Sequence, residues 1–251
     1  MDAKWEHIAN KLSLTGENEF TITADQIKEC GKSWTGPADQ FEPRNLCYQT
    51  SANARPEFFK RNGLYSLPIE NGTYSILKTS VYENLSYTNI DPVYIERNKK
   101  SCILSLGGSE MSLIDNLRYA GVFERPELLG EPIEFTGLQG RHRISMSFNH
   151  GGKDIQITSV QYETDSCFET KHKVAIIEGK SSMKQIDSFN IRQLYFPYRE
   201  IMRVAKDTKH VICLFIHDLK GSINIWKYKF TDINRMDSIT LDGHYIYKFN
   251  S

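Results

Sequence analysis

The sequence predicts an α/β (α+β) protein in which a mixed β-sheet is flanked by helices, with a smaller helical domain at the N-terminus. The first observation is a set of strand-like runs in the back half: RHRISMSF, DIQITSVQYET, KVAIIEG, VICLFIH and INIWKYKF. The second is a row of helical stretches in the front half, followed by the hairpin signal Glu70-Asn71-Gly72. We therefore expect two domains, at about 1–90 and 95–251.

The composition is that of an ordinary globular protein. The chain has 251 residues, enough for a sizeable core, with 39% apolar and 25% charged residues. Lys+Arg and Asp+Glu number 31 each, so no global basic field indicates a nucleic-acid partner. This balance weakens a nucleic-acid interpretation without excluding it, because acids elsewhere can offset a basic groove.

The cysteines and histidines indicate no metal or disulfide framework. The five cysteines are scattered without a CxxC pair, and the seven histidines show no ligand spacing. We interpret the histidines as surface or packing residues. The N-terminal stretch MDAKWEHIANKL lacks an apolar signal core, and no window approaches about 18 apolar residues. We therefore expect a cytosolic (cytoplasmic) protein with no membrane partner.

The front domain has the element order of a winged helix-turn-helix. MDAKWEHIANKL has helical spacing, and Thr23 begins a capping box for a short helix that Gly31 ends. Pro56 and Gly63 bound a third helix, and LYSLPI and TYSILK flank the Asn-Gly turn. A generic small α+β subdomain is the alternative interpretation.

Helices are also expected in the back domain. Residues 79–100 form a connector without periodicity, and EMSLIDNLRYAGVF reads as a helix that begins after Ser109. A second helical span covers about 184–206, where Pro197 is expected to break or kink the helix. Gly107-Gly108-Ser109 lacks the Lys-Ser/Thr of a phosphate-binding loop, and we interpret it as a turn.

An acidic and basic constellation lies on the expected hairpin of 156–165 and 173–180. If its turn is centred near Lys171-His172, Asp165 faces Glu178 and Glu163 faces Lys180. Since residues two apart share a face, these four side chains converge, and Gly179 points the other way toward a closely packed element.

This constellation is suited to metal-dependent chemistry. Two close carboxylates repel each other unless a cation lies between them, and Mg²⁺ favours such oxygen ligands together with waters. Lys180 beside the cation would orient water or offset charge on a phosphate oxygen. A surface salt-bridge cluster is the alternative.

Asp165 and Glu178-Gly179-Lys180 resemble the PD-(D/E)xK nuclease motif. The whole chain resembles a type II restriction endonuclease with an N-terminal winged-helix domain. The likeness lies in RPEFFKRNGLYSLPIENGTYSILK and QYETDSCFETKHKVAIIEGKSSMKQIDSFNIRQLYFPYREI. Thr164 stands where that family has Pro, and Glu163 adds an acid that would compete with Asp165 for the cation.

The resemblance implies a restriction-endonuclease-like back domain and Mg²⁺-dependent hydrolysis of double-stranded DNA at a specific short sequence, with Mn²⁺ as a substitute and a homodimer as the working form. It implies these catalytic residues: Asp165, Glu178 and Lys180, with Glu163 and Glu110 as auxiliary candidates. The metal ligands would be Asp165, Glu178 and Gly179. The DNA-contacting candidates are Arg55, Lys60, Arg61, Asn62, Asn71, Arg141, Arg143, Lys184, Arg192, Gln193 and Arg199.

Several alternatives stay open at this point. Arg192 and Gln193 would orient the site or contact phosphate, or else form an exposed polar helix face. Arg141 and Arg143 would line a DNA channel, or else form a solvated rim. For the whole protein, the alternatives are a non-enzymatic winged-helix DNA-binding regulator that senses a ligand, and a defence or repair nuclease without sequence specificity.

Overall fold

A computed structural model describes residues 1–36, 41–97, 109–182, 185–205 and 209–250. It confirms a mixed α+β protein. The helices among these residues are α1 (Asp2–Lys11), α2 (Ala24–Gly31), α3 (Pro43–Cys47), α4 (Glu57–Arg61), α5 (Glu110–Tyr119) and α6 (Arg192–Ala205), with short 3₁₀ turns at Ala52–Ala54 and Met236–Ser238. The strands are β1 (Phe20–Thr23), β2 (Tyr65–Glu70), β3 (Thr73–Leu77), β4 (Tyr82–Asn84), β5 (Val93–Ile95), β6 (Phe135–Gly137), β7 (Gly140–His150), β8 (Lys153–Thr164), β9 (Ser166–Glu169), β10 (Lys173–Ser182), β11 (Ser188–Asn190), β12 (His210–Leu219), β13 (Ser222–Phe230) and β14 (Ile239–Phe249).

The chain forms two compact units that differ from the expected division at residues 90–95. The first unit contains Met1–Leu85, Arg143–Gln161 and Asp187–Ile191, and the remaining segments form the second unit. The N-terminal boundary is close to the expected one. Residues 143–161 and 187–191 belong to the first unit because they supply strands to its sheets.

The first unit packs helices beside a five-stranded sheet of order β1-β3-β2-β8-β7. The Thr23 capping box is present, since its hydroxyl accepts from the amide of Gln26 and the Gln26 side chain accepts from the amide of Thr23. Gly63 adopts a left-handed φ of +59° just past α4, as the sequence predicted for a helix end. Trp5, Ile8 and residues of α2 and α4 form its core.

The second unit is built on a seven-stranded mixed sheet of order β5-β14-β13-β12-β10-β9-β6. β10 and β12 run parallel, whereas β9 and β13 are antiparallel to the strands beside them. Helix α5 covers the face that carries Ala175 and Ile177. Because side chains alternate along a strand, Val174, which lines a pocket together with Ile201 of α6, points to the opposite face.

Two expectations about this unit need correction. Helix α6 continues through the buried Pro197, so the expected break is wrong, while the kink stays a prediction. Strand β14 was not expected, and it pairs with β13 along its length. No helix in the described ranges is long and apolar enough to span a membrane.

Candidate active site

The candidate site begins where β9 and β10 meet. Their antiparallel register runs from Val174 opposite Glu169 to Ile177 opposite Ser166. This is the register that the sequence predicted for a tight turn, and its next position brings Asp165 to Glu178. The Asp165 carboxylate accepts a hydrogen bond from the amide of Gly179, with Oδ2 and N 2.7 Å apart. The predicted meeting of these two segments is therefore confirmed.

The predicted pairing of Glu163 with Lys180 is wrong. The long run 153–169 is divided at a bend at Asp165, and its first part, β8, belongs to the five-stranded sheet. Glu163, on β8, forms an ion pair with Arg141 in which the two side chains are 56% and 66% exposed. Glu163 is thus a surface residue with its own partner, and Arg141 is its counter-charge.

Glu178 is a buried carboxylate with two donors on one oxygen. It is 5% exposed. The Lys180 ammonium donates to its Oε1 at 2.6 Å, and the Gln193 amide nitrogen donates to the same atom. Burial raises the pKa of Glu178 to about 7, and nearby Asp165 and Glu110 add to the rise while Lys180 opposes it.

Lys180 is held by several oxygens of this cluster. Its Nζ lies 2.9 Å from the carbonyl oxygen of Gly179 and 3.5 Å from Oε1 of Glu110. Burial lowers the pKa of Lys180, but the carboxylates of Glu178, Glu110 and Asp165 together raise it above its ordinary value. The ammonium group therefore stays charged over the whole neutral pH range.

Glu110 reaches the site because α5 packs closely on β10. Glu110 is the first residue of α5, whose N-terminus is capped by Ser109. A Cβ on Gly179 would lie 3.3 Å from Cδ1 of Ile114 and 3.7 Å from Cβ of Glu110. Gly179 thus leaves room for the helix, as its place on the strand predicted. Sequence reasoning missed Ile114, although its position one turn after Glu110 on the same helix face was a usable signal.

The front DNA-contacting candidates have diverse surroundings. Arg55 was expected to be exposed, but it is half-buried, donates to the carbonyls of Ala52 and Leu64 at 2.8 Å each, and stacks on Tyr65. That expectation is wrong. Asn62 was expected to be exposed as well, but it is half-buried and its amide donates to the carbonyl of Phe58. The remaining three, Lys60, Arg61 and Asn71, are exposed, and Arg61 forms a bidentate pair with Glu6.

The back candidates also make contacts within the protein. Arg143 donates to the carbonyl of Ser159 at 2.9 Å, and Arg199 donates to the hydroxyl of Tyr195 at 3.0 Å. Arg192 is half-buried at the start of α6. Gln193 is joined to the site through Glu178, as described above. Lys184, Gly107 and Gly108 lie outside the described residues.

The donor set of the site fits a hard cation. Asp165 and Glu178 offer carboxylate oxygens and Gly179 a carbonyl oxygen, and no hydrogen bond among the described residues reaches Oε2 of Glu178. Mg²⁺ keeps several waters and needs one or two carboxylates from the protein. The described residues contain no group of three His, Cys, Asp or Glu side chains arranged to hold a metal ion. The set thus suits a cation that completes its shell with water.

In comparisons with known proteins, the chain matches the models of two protein families. Residues 77–248 match the model of a family described as Domain of unknown function (DUF6997). Residues 2–76 match the model described as Domain of unknown function (DUF6996). No curated protein and no solved structure matches the chain.

Proposed function

We propose that this protein hydrolyses phosphodiester bonds in double-stranded DNA at a specific short sequence and depends on Mg²⁺. This is the activity of a type II restriction endonuclease with a winged-helix domain. The chain belongs to the family described as Domain of unknown function (DUF6997). One observation carries the proposal: Asp165 meets the Glu178-Gly179-Lys180 segment at the β9–β10 junction, with Lys180 bonded to Glu178.

The charges of the site support hydrolysis of a phosphodiester. Asp165, Glu178 and the carbonyl of Gly179 would hold the cation, which when bound polarises a phosphodiester and lowers the pKa of water. Lys180 keeps its proton and offsets charge that develops on a phosphate oxygen. Gln193 holds the Glu178 carboxylate in place through its amide N–H. Glu110 balances the ammonium charge from the α5 side.

The first unit supplies the argument for a DNA partner. Helices α1, α2 and α4 precede the β2–β3 hairpin, and β1 extends that hairpin by pairing with β3. This order supports a winged-helix interpretation, in which a helix contacts the major groove while basic side chains contact phosphates. A homodimer would match a two-fold recognition sequence.

The test is incubation of the purified protein with phage DNA in Mg²⁺ and, separately, in EDTA. We expect discrete fragments in Mg²⁺ and intact DNA in EDTA, with Mn²⁺ able to replace Mg²⁺. Asp165→Asn and Glu178→Gln remove a negative charge from the site and should lower the cleavage rate by roughly 10²-fold or more. Lys180→Ala should have a similar effect.

The matched control is Glu169→Gln, which changes an acid on the same strand pair whose partner is Lys209. It should cut at the wild-type rate. A smear in place of discrete bands would indicate a nuclease without sequence specificity. Cleavage that survives EDTA, or a Glu178→Gln protein that cuts like wild type, would refute the site assignment.

A further inference from the structure

A row of polar side chains crosses the middle of the seven-stranded sheet beside Lys180. Lys180 on β10 is in register with His217 on β12, and His217 is in register with Asn224 on β13. Residues in register on neighbouring strands have side chains on the same face, and the strands are about 4.8 Å apart. His217 is therefore the neighbour of Lys180 on the face opposite α5.

His217 is fully buried, with 0% exposure, and only one of its ring nitrogens is hydrogen-bonded among the described residues. Nδ1 lies 2.8 Å from the hydroxyl of Tyr87, which donates its proton to the carbonyl of Ile186 at 3.2 Å. Both contacts are made together in the tautomer whose hydrogen is on Nδ1, because the hydroxyl then donates to the Ile186 carbonyl and accepts from Nδ1. Nε2 is then a bare acceptor, and no described residue donates to it.

The other histidine of this row is fully bonded. His244 lies 3.0 Å from Oδ1 of Asn224 through Nε2 and 2.7 Å from the hydroxyl of Thr88 through Nδ1. Burial lowers the pKa of both histidines, so both rings are neutral at pH 7.5. An unsatisfied buried acceptor costs free energy, so an arrangement that brings a donor to Nε2 gains a hydrogen bond.

Lys180 is a donor on the neighbouring strand, in register with His217 and on the same face of the sheet. Its ammonium has three N–H groups on a flexible four-carbon stem, and these now face Glu178, Glu110 and the Gly179 carbonyl. Glu178 is the partner most easily lost, since a cation on its carboxylate would weaken the ion pair. Lys180 then needs another acceptor on the same face of the sheet.

We propose that His217 is a positioning residue for Lys180, whose ammonium donates to Nε2 of His217 when Glu178 no longer holds it. The ammonium thereby has an acceptor that anchors it in both arrangements, Glu178 in one and His217 in the other. This inference rests on the proposed function, because it assigns a second anchor to the lysine that acts there.

The experiment observes the ring nitrogens of histidine by NMR in ¹⁵N-histidine-labelled protein at pH 7.5 with EDTA and without DNA. His217→Asn identifies the His217 signals. In wild type, Nε2 of His217 should resonate as an unprotonated nitrogen without a donor. Glu178→Leu removes the carboxylate, and the Nε2 signal should move toward the position of a hydrogen-bonded acceptor.

Lys180→Met in the Glu178→Leu background removes the donor and should return the signal to its wild-type position. The signals of His244 serve as the internal control and should stay in place. If Glu178→Leu does not fold, Ca²⁺ added to wild type and to Lys180→Met gives the same comparison. An Nε2 signal that does not move, or that moves equally without Lys180, refutes the proposal. Because no DNA is present, these outcomes are independent of whether the protein cleaves DNA.

Discussion

At the residue scale, Glu178 combines an ionisable carboxyl with a position that disfavours its charge. A buried carboxylate is costly unless it is paired and hydrogen-bonded. Lys180 and Gln193 both donate to Oε1, yet burial still outweighs them and raises the pKa of Glu178 to about 7. A carboxyl that is half protonated at neutral pH is suited to a site where a cation completes the charge balance.

The first prediction concerns the stability of the cation-free protein. Because the folded pKa of Glu178 is about 7 and its ordinary value is 4.5, the folded state binds more protons than the unfolded state between these values. The free energy of unfolding should therefore fall as pH rises from about 4.5 to 7, by roughly 3 kcal/mol from this group. Glu178→Gln cannot titrate and should lack this decrease.

Urea unfolding at pH 5 and pH 8 in EDTA measures the difference. Wild type should lose more stability between the two pH values than Glu178→Gln does. Lys180→Met provides a second comparison, since loss of the ammonium raises the pKa of Glu178 further and should enlarge the decrease. Equal losses in wild type and Glu178→Gln would show that Glu178 titrates near its ordinary value.

At the element scale, the site depends on two features of β10: its register with β9 and its close contact with α5. The sequence predicted the register because a tight turn leaves few alternatives, and the ladder from Val174 to Ile177 agrees. The bend at Asp165 was not predictable, because DIQITSVQYET reads as one unbroken strand. That bend sends Glu163 to Arg141 and away from Lys180.

Other differences have their own causes. Strand β14 has apolar residues at alternate positions, but Asp242-Gly243 in its middle is typical of a turn and divides the pattern. Arg55 lies in a polar stretch that is typical of an exposed loop, but its guanidinium bonds to backbone carbonyls that only the tertiary structure brings near. The interpretation of His217 as a packing histidine agrees with its full burial, but the sequence of its apolar strand gives no local signal of the neighbouring lysine.

A substitution at Gly179 tests the contact between β10 and α5. In Gly179→Ala the new Cβ would lie 3.3 Å from Cδ1 of Ile114, so the helix or the side chain must shift. We expect a loss of about 1 kcal/mol from this overpacking. Ile114→Val removes the crowded methyl group and should cost about 1 kcal/mol alone.

Because the two changes share one contact, the double variant should lose less than the sum of the single losses, by about 0.5–1 kcal/mol. Urea unfolding of the four proteins gives this interaction energy. Additive losses would mean that α5 does not press on Gly179.

At the scale of the whole molecule, the zero net charge does not show which basic residues are exposed and which are bonded within the protein. The chain carries equal numbers of basic and acidic residues, and several candidate DNA-contacting side chains are engaged within the protein. Arg55 serves the backbone of the first unit, whereas Lys60 and Arg61 lie on the exposed side of α4. A fragment that begins near residue 95 would also lack β2, so β8 would lose its neighbour in the five-stranded sheet.

The last prediction separates these roles by salt titration of DNA binding in Ca²⁺. The double variant Lys60→Ala/Arg61→Ala should bind DNA more weakly. The slope of log affinity against log salt should become shallower by roughly 0.9 for each phosphate that the variant no longer neutralises. Arg203→Ala is the matched control, because Arg203 is an exposed arginine paired with Glu200, as Arg61 is with Glu6. Arg55→Ala should instead lower the free energy of unfolding by about 1–3 kcal/mol, since it removes the guanidinium donors to the carbonyls of Leu64 and Ala52. If the double variant keeps the wild-type slope, α4 does not contact DNA phosphates and the DNA-binding surface lies elsewhere on the chain.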